Sequence, residues 1–167
     1  MAANYNLNKD TVLGDLYRLL TVVAADAAIA HNCDSGDPLI GLRKQFMRDE
    51  LLHLLVSTAV MNRLHREHER IEQPDEADAQ HLCGRLISNF IEKPDSIIDL
   101  SLREACNKII HAGDITHEAD DYAERSGLIV LPNTLVLHGE YNGRHWRAYL
   151  WLLEYLRASI LNFGGAA

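Results

Sequence analysis

The chain has little of what small secreted or metal-stapled proteins depend on. Its three cysteines, Cys33, Cys83 and Cys106, are odd in number, far apart and in no CxxC arrangement. That argues against a disulfide framework and a thiolate zinc site and leaves reduced, packed thiols. No stretch approaches the roughly eighteen uninterrupted apolar residues of a membrane span. Met1 to Asp10 lack the basic start, apolar centre and small-residue cleavage site of a secretory signal, so a soluble, cytoplasmic protein with no membrane partner is the expectation. A P-loop, a GxGxxG after a strand, a GxSxG and an HExxH are all missing, which removes the sequence basis for the chemistries those patterns serve. Basic residues are also short, at 16 against 24 acidic, for a formal charge of −8. Such a surface repels polyanions at long range and argues against sequence-blind DNA binding. Arg63, Arg66 and Arg70, or Arg144 and Arg147, are where a local basic groove could form, and each cluster otherwise reads as a solvated helix face.

What remains is ordinary globular material. With 167 residues, 47% apolar and 24% charged, the chain can close one core by itself, and one domain over 1–167 is expected. Asn8 or Asp10 caps a first helix to about Ala30, in which Leu13, Leu16, Leu20, Val23, Ala27 and Ala30 recur at helical spacing. Asp37-Pro38 starts a second, from Pro38 to about Gln73, on Leu39, Leu42, Phe46, Leu54, Met61 and Leu64. Its charged end, residues 63–70, reads as a solvated terminus. Pro74-Asp75 begins a third helix through about Glu92, carried by Leu82, Leu86, Ile87, Phe90 and Ile91 and stopped at Lys93-Pro94.

Ser101-Leu-Arg-Glu104 reads as a capping box opening a fourth helix, Leu102 to Ala112, with Gly113 placed as a left-handed C-terminal cap. Gly127–Leu131 and Thr134–Leu137 are strand-like, and Asn142-Gly143 predicts a type I′ hairpin. The strand after it, about Arg144 to Ala148, leads into a final helix of Tyr149, Leu152, Leu153, Leu156, Ile160 and Leu161. The expected fold is therefore mainly α: about five helices in a bundle, with a small antiparallel β-ribbon, about 127–148, before the last helix.

Chemistry concentrates in the fourth helix. Arg103, Asn107 and His111 fall four residues apart and share one face, with Leu102, Cys106 and Ile109 opposite. His111 lies in the last turn, where the helix dipole favours a cation. The structural alternative is a capping His111 and Asn107 at a helix end that tie down the following loop. Elsewhere, Glu50-Leu-Leu-His53 has the Glu-x-x-His spacing of di-iron bundles, without the second copy and extra glutamates such a centre needs. His65 and His68 have the spacing for a stray transition metal but read more simply as exposed charge. No metal and no cofactor are expected.

Asn107-Lys-Ile-Ile-His111, set in a capped helix followed by a β-ribbon and a closing helix over roughly residues 80 to 162, resembles helical-bundle domains of the HEPN superfamily. Many of those are metal-independent ribonucleases of bacterial toxin and phage-defence systems, often active as dimers. Their signature is an Arg, usually followed by Asn, Asp or His, with a His four to six residues after the Arg, and Cys106 stands where that Arg would be. Arg48-Asp-Glu-Leu-Leu-His53 satisfies the spacing literally, but five helical residues turn the two side chains about 140° apart. Arg63 and His68 repeat that spacing in a charge-rich stretch. The resemblance implies a homodimer directed at RNA, a ribonuclease or an inactive derivative, with His111 as base or acid, Asn107 orienting the phosphate or the imidazole, and Arg103 offering charge. A non-catalytic acidic protein that binds a basic protein partner is the alternative.

Overall fold

A computed structural model describes residues 8–68, 81–117 and 133–164. Four helices and a five-stranded antiparallel sheet occupy them. Helix α1 spans Lys9–Asn32 and α2 spans Pro38–His68; strands β1 (Gly84–Ile87) and β2 (Ile97–Leu100) follow. Then come α3 (Leu102–His111), β3 (Asp114–Thr116), β4 (Thr134–Tyr141), β5 (Arg144–Trp151) and α4 (Leu152–Asn162). The sheet order is β2-β1-β5-β4-β3. This is an α+β fold, and it corrects the expected five-helix bundle with a small ribbon.

The correction comes from residues 81–100. The apolar spacing Leu82, Leu86, Ile87, Phe90, Ile91 fits a helix, yet Gly84–Ile87 is a strand held between β2 and β5, with Leu86 opposite both Ile98 and Ala148. Leu86 and Ile87 are both buried, on opposite faces of the sheet. A strand covered on both sides loses its alternation and imitates one turn of a buried helix. Residues 74–80 of the expected third helix, and the expected strand Gly127–Leu131, lie outside the described residues. Between the expected third and fourth helices, Ile97–Leu100 forms β2.

Glycine makes the pairing possible. Gly84 has φ 147°, and a Cβ built there would lie 1.8 Å from the carbonyl oxygen of Tyr149 on β5. No other residue lets the two backbones approach so closely. Asn142 and Gly143 turn β4 into β5 with φ 52° and 73°, the type I′ geometry expected from the dipeptide. The ladder they start runs from Tyr141↔Arg144 to Thr134↔Trp151, so Tyr149 belongs to β5 rather than to the final helix.

The main core lies on one face of the sheet, where Leu100, Leu135, Leu137, Ala148 and Leu150 meet α3, α4 and the α1–α2 hairpin. A smaller apolar cluster of Ile87, Val136 and Tyr149, with Phe90 and Ile97 against it, lies on the opposite face. In α1 the buried stripe is Val12, Leu16, Leu19 and Val23; Leu20, Ala27 and Ala30 of the expected stripe are exposed. In α2 burial begins only at Leu51 and includes His65 and Arg66. The charged end is therefore not simply solvated: His65 packs on the ring of Phe163, centroids 4.8 Å apart. Thr58, Asn62, Tyr155 and Ser159 form a buried polar seam between α2 and α4.

Candidate functional site

Helix α3 is short and locally specified. The Ser101 hydroxyl accepts from the Glu104 N–H (3.3 Å), as an N-cap should. The Glu104 carboxylate in turn accepts from Lys108 Nζ (3.1 Å) and Asn107 Nδ2 (3.5 Å). Leu102, Ala105, Cys106 and Ile109 are buried. Arg103 and His111 are exposed and Asn107 is half-buried, on the side away from that core. Cys106 is completely enclosed, so the position where the resembled family places its arginine points into the core.

The helix does not end on a left-handed glycine. Ala112 is extended (φ −66°, ψ 128°), and Gly113 instead donates its N–H to the carbonyl of His138 (2.8 Å), leading the chain into β3. The C-terminal end of α3 is thereby fastened to β4.

Beside that junction lies an open groove of about 490 Å³, with Phe90, Asp114, His138, His145, Trp146 and Arg147 among its walls. The ladder explains its chemistry. His138 pairs with Arg147 and Glu140 with His145, so these four side chains project from one face of the β4–β5 hairpin. Arg147 Nε donates to His138 Nδ1 (3.3 Å), and its guanidinium carbon lies 3.5 Å from the centroid of the Phe90 ring. A donor at Nδ1 assigns the neutral imidazole its proton at Nε2. Phe90 is held in place by its own N–H, which donates to the His145 carbonyl (2.8 Å). Lys108 of α3 lies 4.6 Å from the ring of Trp146, which is buried on the α3 side of the sheet, opposite His145 and Arg147. Trp146 fits because Gly139 opposite has no side chain: a Cβ there would lie 2.2 Å from the indole.

His138, His145 and Phe90 were missed as site residues. A two-residue Asn-Gly turn already sets the pairing, and counting outward from it puts His138 opposite Arg147 and Glu140 opposite His145. Arg144 and Arg147, grouped together in the sequence reading, project from opposite faces of β5 because strand side chains alternate. The other basic cluster is also dispersed: Arg66 is buried, Arg63 pairs with Glu67 (3.2 Å), and Arg70 lies outside the described residues.

The remaining sequence candidates do not converge. Arg48 is exposed and lies 3.8 Å from Asp114, and His53 is exposed on α2. Glu50 is paired with Arg18. His65 is buried while His68 is exposed. Among the described residues, no three His, Cys, Asp or Glu side chains gather as a metal site, and no helix is long and apolar enough to cross a membrane.

No family model matches the chain, and neither a curated protein nor a solved structure matches it.

Proposed function

We propose that this chain is an RNA-directed domain that cleaves RNA without a metal ion, using the polar face of α3 and the groove beside it. One observation carries the reading. An accessible helix face bearing Arg103, Asn107 and His111 ends two residues from a groove wall that supplies two imidazoles, a guanidinium and an aromatic ring.

The chemistry of these groups suits a phosphodiester. His111 takes the proton from a ribose 2′-hydroxyl, whose oxygen forms a bond to phosphorus as the bond to the 5′-oxygen breaks. The products are a 2′,3′-cyclic phosphate and a 5′-hydroxyl. Asn107 and Arg103 donate to the non-bridging oxygens as negative charge builds there. His138 and His145 have the right chemistry to return a proton to the departing oxygen. Phe90 offers a ring for an unpaired base, the mode by which proteins select single-stranded RNA. With Cys106 enclosed, Arg103, one turn earlier and exposed, is the cation on hand.

The test is a labelled single-stranded RNA incubated with the protein in excess chelator, with end-group analysis of the products. Cleavage to cyclic phosphate, lost by about 100-fold or more in His111→Ala with an unchanged circular dichroism spectrum, is the expected result. No cleavage by the starting protein, or undiminished cleavage by His111→Ala, overturns the catalytic reading.

The net charge of −8 favours a second reading, a non-catalytic protein that binds a basic protein partner. That reading expects no cleavage, together with salt-sensitive binding indifferent to His111→Ala.

A further inference from the structure

The outer side of α2 carries a second, unburied apolar stripe. Leu39, Leu42, Phe46, Asp49, His53, Val56, Val60 and Arg63 follow one another at alternating steps of three and four residues, a heptad seam. At 100° per residue the stripe centres about 180° from the buried set Leu51, Leu55, Thr58, Asn62 and His65. Leu39 is 48% exposed, Leu42 57%, Phe46 55% and Val56 41%. The part of the α1–α2 hairpin that bears the first three, residues 24–50, contains no buried residue. Its two helices are tied by the Arg43–Asp26 ion pair, with Arg18–Glu50 at its base, and its lower end meets the body through Met47 and Arg48.

From this pattern we infer that α2 is a homodimerisation helix that pairs antiparallel with α2 of a second copy, about a two-fold axis at Leu51. The stripe is self-complementary about that residue and no other. Turned end for end, it sets Leu42 against Val60, Phe46 against Val56, and Leu39 against the aliphatic stem of Arg63. Its two central polar positions then meet each other: Asp49 faces His53 of the second copy, twice across the axis. A parallel pairing would instead set Asp49 against Asp49 and His53 against His53. A two-fold interface uses the same patch on both subunits, and this patch fits itself only in the antiparallel sense.

The dimensions are sufficient. From residue 39 to 63 the seam is about 36 Å long and a helix is about 10 Å across, a footprint of roughly 400 Å² per copy. Side-chain relief raises the accessible surface lost to about 600 Å² each, or about 1,200 Å² together, the lower end for a specific dimer. The inference does not rest on the RNA reading, since the seam includes none of Arg103, Asn107 or His111.

Sedimentation velocity on the full chain from about 1 to 300 μM reads the result directly. A concentration-dependent dimer is expected, with Leu42→Glu/Phe46→Glu at least about 100-fold weaker in association and unchanged in helix content, because neither side chain packs inside its own subunit. Asp49→Lys is expected to weaken association about tenfold by removing the carboxylate that faces His53, and Asp49→Lys/His53→Glu to restore an oppositely charged pair. A monomer throughout this range, which would leave the stripe to a different partner, overturns the proposal. So does a dimer indifferent to Leu42→Glu/Phe46→Glu. Failure of the double charge exchange to restore what Asp49→Lys loses overturns the antiparallel register.

Discussion

Gly84 presses its Cα against the Tyr149 carbonyl at a backbone angle that side chains avoid, and the site tolerates no added carbon. Gly84→Ala is therefore expected to cost about 1–3 kcal/mol, through strain or through separation of β1 from β5. A shift of the urea midpoint without a change in slope would register it, and an unchanged midpoint would contradict it. His117 titrates in the opposite sense to a histidine that gains a partner. Partial burial lowers its pKa first; Asp26 raises it, and Arg43 and Arg48 lower it. The unfolded chain binds this proton near about pH 6.5, the folded chain only at lower pH. In that window the unfolded state holds more protons, so stability falls as pH falls and is fully present above it. His117→Gln should lose less stability than the parent chain between about pH 7.5 and 5.5. Equal losses in urea melts at the two pH values would show that the imidazole is not involved.

Between α2 and α4 the joint is polar rather than greasy. Thr58 Oγ1 and the Tyr155 hydroxyl are 2.9 Å apart, Asn62 Nδ2 donates to Ser159 Oγ (3.0 Å), and Asn162 Nδ2 donates to Asn62 Oδ1 (2.9 Å). Burial holds the Tyr155 hydroxyl well above its ordinary pKa, with Cys106 adding to the rise and Thr58 opposing it. Asn62 is fully buried and serves both neighbours. Asn62→Ala should cost about 2–4 kcal/mol by removing its bonds to Ser159 and Asn162 and opening a void, whereas Ser159→Ala should cost only about 1 kcal/mol. Comparable losses from both would show that Asn62 is not the centre of the seam. Such a seam is invisible to apolar periodicity, which is why residues 58–66 look like a helix running out of core when they are still inside it. α3 was the legible element: its cap follows from Ser101 and Glu104, and its polar face and inward Cys106 from the 3.6-residue period over ten residues. β1 was not, because four residues buried on both sides carry no period at all.

At the scale of the molecule, charge limits how RNA could be held. A protein at −8 gathers few phosphates; the cations of the proposed site are Arg103 and Arg147, with Lys108, paired with Glu104, alongside. For single strands each neutralised phosphate contributes about −0.7 to the slope of log K against log salt, so two contacts predict a slope no steeper than about −2. Fluorescence anisotropy of a labelled oligonucleotide across a salt series measures this slope. A value beyond about −4 would require a basic surface that these residues do not form.

By itself the sequence determined what depends on neighbours along the chain: the capped helices, the Asn-Gly hairpin, and a polar stripe on a short amphipathic helix. The tertiary structure decided whatever depends on pairing between distant segments. It made Gly84–Ile87 a central strand, sent Arg144 and Arg147 to opposite faces, and gathered His138, Arg147 and Phe90 around one groove. Local signals fix dihedral angles over one or two turns. Only the closing of the sheet, which brings residue 84 against residue 150, selects among the pairings those angles allow.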